Sequence, residues 1–151
     1  MTGTHDLTAL VTSAWEAVDD PTTARRDLSL DAIGDVLETG RLPRDEAERA
    51  AERLVALALS AKDDPVRESA LHALCLATGQ YRLPYRTLAP LAEHGDAFAP
   101  VLLPYVLAAV SSTHDRQALP LVQRYLRHPR PEVRAEAAEA LHELRLGTAC
   151  P

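Results

Sequence analysis

The residues able to do chemistry are few. His72 and Cys75 are three apart, a spacing that puts both on one face of a helix. Two such ligands do not close a tetrahedral site, so no metal is expected. Ser111-Ser112-Thr113-His114-Asp115 sets a hydroxyl, an imidazole and a carboxylate side by side. A hydrolytic triad is assembled from separate elements with defined roles, so this run reads as a helix cap and connection. The sequence has no HExxH, no glycine-rich phosphate loop and no GxSxG turn. No catalytic residue and no cofactor are expected, and the chain reads as non-enzymatic.

Charge is the next chemical signal. The net charge is −6, and it is uneven: residues 1–64 carry 14 acidic and 7 basic side chains, residues 65–151 carry 8 and 9. An acidic chain argues against a general nucleic-acid binder, whose affinity comes from neutralising phosphates. Arg116, Arg124, Arg127 and Arg130 make one locally basic stretch. A solvated helix face is its simplest reading, and a nucleic-acid surface is the competing one. Cys75 and Cys150 form no disulfide framework, and the first residues show no basic-then-apolar leader. Both point to a reducing, cytoplasmic setting. One lysine beside 15 arginines, with abundant alanine, hints at a GC-rich bacterial genome.

Helices must position these residues. Of 151 residues, 26 are Ala and 24 Leu, and only 4% are aromatic. Such a chain favours helix and disfavours an extensive sheet. Eleven prolines and six glycines punctuate it. The longest apolar run, residues 97–110, is too short for a membrane span and contains Pro100 and Pro104. Periodic apolar positions predict eight helices: 6–18, one within 21–39, 43–61, 64–78, 84–93, 97–111, 115–127 and 131–146. Gly40 is expected to end the second, and Gly147 the eighth. The prolines at 100 and 104 should bend the sixth or delay its start.

The helices repeat. Val66-Arg67 and Val133-Arg134 both follow a proline-bearing corner, and each is followed by Ala, Ala and Leu at matching positions (Ala70, Ala73, Leu74; Ala137, Ala140, Leu141). Leu-Pro recurs at prolines 43, 84 and 120. A period of about 35–45 residues with two helices per unit is the signature of an α-solenoid.

Asp64-Pro65-Val66-Arg67…Ala70…Ala73-Leu74 and Pro131-Glu132-Val133-Arg134…Ala137…Ala140-Leu141 resemble the second-helix signature of HEAT repeats. The resemblance implies an all-α, right-handed α-α superhelix, a HEAT-like solenoid of about eight helices in four antiparallel pairs (residues 6–39, 43–78, 84–111 and 115–146) forming a single domain over 1–151. It also implies a structural ladder between repeats through Asp64, Arg67 and Arg134. His142-Glu143 is similar to the His-Glu pairs that hold iron in HEAT-type deoxyhypusine hydroxylases, a chemistry that needs several such pairs.

HEAT-type arrays use the second helices as a concave binding surface. With Val66, Phe98 and Val133 taken as equivalent, the exposed line reads Asp31, Asp35 and Glu38, then Glu68, His72 and Cys75, then Leu103, Pro104 and Leu107, and finally Glu139 and His142. The expected groove is acidic, then apolar, then mixed. It suits another protein with a basic or amphipathic surface. The expected role is a protein-interaction module, for instance a toxin-neutralising immunity protein or an adaptor. Two alternatives remain. One is a small-molecule-binding or lyase-like protein using Leu103, Tyr105 and Leu107 with His72 or His142. The other is a nucleic-acid binder using Arg116 to Arg130.

Overall fold

A computed structural model describes residues 3–148. Those residues are all-α, with eight α-helices, three short 3-10 turns and no strand. They fall into two compact units, Met1–Tyr81 and Arg82–Pro151. Cys150 lies outside the described residues.

The first unit holds α1 (Gly3–Asp19), α2 (Arg26–Glu38), α3 (Arg44–Ser60) and α4 (Asp64–Thr78). Each consecutive pair packs together, α1 on α2 and α3 on α4, and the most extensive contact joins the two second helices, α2 and α4. Small side chains allow that approach, because interaxial distance follows the residues at the contact. A Cβ on Gly34 would lie 3.2 Å from Ala73 Cα and Cβ and from Leu76 Cδ1. Leu30, Ile33 and Leu37 of α2 and Leu71, Leu74 and Ala77 of α4 are fully buried around it.

Local chemistry sets the ends of these helices. Gly40 follows α2 with φ +66°, a conformation open to glycine at little cost. The Asp63 side chain accepts the Val66 amide at the start of α4. Tyr81 Oη donates to the Leu42 carbonyl at 2.8 Å and ties the end of α4 to the corner between α2 and α3.

The second unit holds α5 (Tyr85–Glu93), α6 (Leu103–Ser111), α7 (Leu119–Tyr125) and α8 (Pro131–Thr148). The order of packing repeats that of the first unit: α5 on α6, α7 on α8, and second helix on second helix, α6 on α8. Helix α6 starts late, as its prolines require. Residues Gly95–Ala97 and Pro100–Leu102 form 3-10 turns, and Pro104 sits in the first turn of the helix, where a missing amide costs nothing. Helix α7 is shorter than its pattern, because Arg116–Ala118 is a 3-10 turn. Helix α8 runs through Gly147 to Thr148, so that glycine does not stop it. Between α6 and α7 the hydroxyls of Ser111, Ser112 and Thr113 each donate to a carbonyl three residues back. Asp115 accepts the Gln117 amide. The run is thus a cap and a corner. His114, at φ 55°, turns its Nε2 to Glu143 of α8 at 2.9 Å.

Candidate binding face

Helices α2 and α4 carry the candidate face of the first unit. Gly34 meets Ala73 at their contact line. On one flank of that line Leu30, Ile33 and Leu37 of α2, and Val66, Ala70 and Ala77 of α4, are buried against α1 and α3. The other flank is open. By helical spacing it carries Asp31, Asp35 and Glu38 on α2 and His72 on α4, with Glu68 and Cys75 one step further round. Asp31 and Cys75 are half-buried; Asp35, Glu38, Glu68 and His72 are exposed.

The electrostatics of this face is set by α2. Arg25 sits just before the helix and forms a two-pronged contact with Asp27, Nε to Oδ1 at 3.0 Å and Nη2 to Oδ2 at 2.8 Å. That hydrogen bond lowers the Asp27 carboxyl below its ordinary range, and Asp27 in turn raises Arg25. The guanidinium is therefore committed to Asp27, with Asp31 a more distant attraction. Asp35 and Glu38 enter no ion pair among the described residues. Two exposed carboxylates a helical turn apart thus remain uncompensated beside a third.

The apolar middle expected for the groove is corrected. Leu103 is 3% exposed and Leu107 is 0% exposed, so both are core. Helix α6 is apolar on nearly every side, and most of its side chains are buried. Taking Phe98 as the equivalent of Val66 also misplaced the register, because the helix begins at Leu103 and not before it. Pro104 and Tyr105 are half-buried. Glu139 and His142 are exposed on α8, in the second unit.

The two arginines expected in the ladder bond carbonyls at their own corners. Arg67 Nε donates to the Ala58 carbonyl at 3.0 Å, and Arg134 Nη1 donates to the carbonyls of His128 and Pro129 at 2.8 and 2.9 Å. Arg134 holds two carbonyls of the corner after α7, while Arg67 reaches back to the last turn of α3 and satisfies a carbonyl that a helix terminus leaves open. Arg26 does the same for the Val18 carbonyl at 2.8 Å, a third case that sequence matching missed. The signal was available as an arginine near the start of each of these second helices. Asp64 is an exposed acid in the first turn of α4, favourable there beside the positive end of the helix dipole.

Sequence reasoning also missed a cleft of about 480 Å³ in the second unit, lined by Gly95, Asp96, Phe98, Pro100, Leu103, Arg124, Tyr125, Arg127, His128 and Pro129. It changes the reading of the basic stretch. Arg124 pairs with Asp96, whose hydrogen bond is the main cause raising the guanidinium. Arg130 faces Glu132 at 3.9 Å. The arginines are therefore not a uniform strip for phosphates. No cluster of three His, Cys, Asp or Glu fit to hold a metal occurs among the described residues. No helix among them is long and apolar enough to cross a membrane.

Residues 118–144, which span α7 and most of α8, match the family model of the HEAT repeat. No curated protein matches the chain. The fourth helix pair is thus similar to a HEAT repeat, and HEAT repeats generally mediate protein interactions.

Proposed function

We propose that this chain is a HEAT-like, non-enzymatic interaction module that receives a basic surface of a partner protein on the acidic flank of α2 and α4. One observation carries the reading: Asp35 and Glu38 stand exposed with no ion pair among the described residues, next to Asp31. Uncompensated surface carboxylates add little to folding, yet they steer and orient a cationic partner. Glu68 and His72 extend the same flank. Neutralising a cationic toxin as an immunity protein and bridging two proteins as an adaptor are the two roles that suit such a face.

The test is capture with a tagged full chain followed by mass spectrometry, run in parallel with the Asp31→Lys/Asp35→Lys/Glu38→Lys variant. A basic protein retained by the parent chain and lost by the variant is the expected result. Equal retention by both removes the acidic flank as the binding face. The class of the retained protein then separates a toxin from a bridged pair.

A further inference from the structure

We propose that the cleft between the 95–100 corner and the end of α7 is a binding site for an organic anion: a carboxylate or phosphate carried on an apolar group. Its volume, about 480 Å³, falls within the range of small-ligand sites. Its apolar walls are Phe98, Pro100, Leu103 and Pro129. Its charge is positive. The single carboxylate in the lining, Asp96, is engaged by Arg124 and accepts from Tyr125 Oη at 3.4 Å. That leaves Arg127 as a cation with no ion pair among the described residues. His128 Nδ1 accepts the Arg130 amide at 3.1 Å, so the neutral ring carries its proton on Nε2 and offers a donor. One uncompensated guanidinium, Arg127, and an imidazole donor beside an already paired carboxylate select a negative head group; an apolar body then fits the walls.

The floor of the site is built in advance. Tyr125 is buried, its ring 5.9 Å from that of His128, and Arg124 lies 5.3 Å over its face. A Cβ on Gly95 would come within 2.7 Å of Tyr125 Oη, so the phenol rests on the bare backbone there. Asp96, next in the chain, then holds both Arg124 and Tyr125. Little reorganisation is left for a ligand to supply.

The experiment follows backbone amides of the labelled full chain during titration with phenyl phosphate, benzoate, inorganic phosphate, and a short peptide ending in phenylalanine, as the free acid and as the amide. The expected result is saturable shifts at Gly95, Asp96, Tyr125 and His128, with phenyl phosphate at least about tenfold tighter than inorganic phosphate. Preference for the free-acid peptide over benzoate identifies a chain terminus as the source; the reverse identifies a small molecule. Arg127→Gln, at an exposed position, should keep the thermal midpoint and weaken binding about tenfold. Unsaturated shifts, equal affinity for inorganic phosphate, unchanged affinity in Arg127→Gln, or tighter binding of an oligonucleotide that salt abolishes would each overturn the proposal.

Discussion

Arg67 Nε donates to the carbonyl of Ala58, nine residues earlier, across the corner between α3 and α4. Arg26 and Arg134 make the same backward reach at their own corners. One side chain in each of these three pairs thus braces the corner from which a second helix leaves the first. The third pair has no arginine at the start of α6, and its corner is built instead from two 3-10 turns and prolines.

Arg67→Met should therefore lower the unfolding free energy by about 1.5–3 kcal/mol, the usual worth of a hydrogen bond from a charged donor. Urea unfolding measures it. Arg134→Met, at a more exposed position, should cost less. If Arg67→Met unfolds at the parent midpoint, the clamp does not hold the corner.

Gly34 tests the close approach of α2 to α4. Alanine gains about 1 kcal/mol of helix propensity, but its methyl meets three atoms at 3.2 Å. The two effects oppose, and Gly34→Ala should stay within about 1 kcal/mol of the parent. Gly34→Leu has no such offset and should destabilise by about 2–3 kcal/mol through overpacking. Thermal unfolding of the two variants separates them, and a well-tolerated leucine would contradict the packing.

The acidic flank gives a kinetic prediction. Asp35→Lys/Glu38→Lys alters exposed side chains without partners, so stability should change by less than about 0.5 kcal/mol. Association with a captured basic partner should slow as salt rises for the parent chain and be nearly salt-independent for the variant. Stopped-flow association rates at several ionic strengths provide the measurement.

Glu136 on α8 has its carboxyl raised above the ordinary range, first by burial and then by the neighbouring Glu139 charge. A folded pKa above the unfolded one means that the stability held by the protonated form is lost as pH rises through the folded value. Glu136→Gln should consequently melt higher than the parent at neutral pH, by about 1–2 °C. The difference should vanish below about pH 4, where both are neutral. A constant difference across pH would assign the effect to packing.

Much of the fold was legible because it is written in short-range terms. The i, i+3, i+4 spacing in 64–78, the glycine at 40 and the corner before Val66 each act within a turn or two of helix, and α4 forms where they predict. The prolines at 100 and 104 delay α6, one of the two outcomes they allowed. The site was less legible. Asp31, Asp35 and Glu38 share a face because helical periodicity requires it, and the openness of Asp35 and Glu38 to solvent follows from the charge pattern. Leu103 and Leu107 are also spaced as a face, but spacing does not say which side of an all-apolar helix is covered.

By itself the sequence determined an all-helical chain of paired elements and an acidic first half, since propensity, periodicity and charge are properties of neighbours along the chain. Tertiary structure decided the partners: Arg124 for Asp96, 28 residues away, Arg67 for a backbone carbonyl, and Leu107 for the core. A guanidinium takes whichever acceptor the packed helices bring within about 3 Å, and a leucine counts as surface or interior only once a neighbouring helix has covered it.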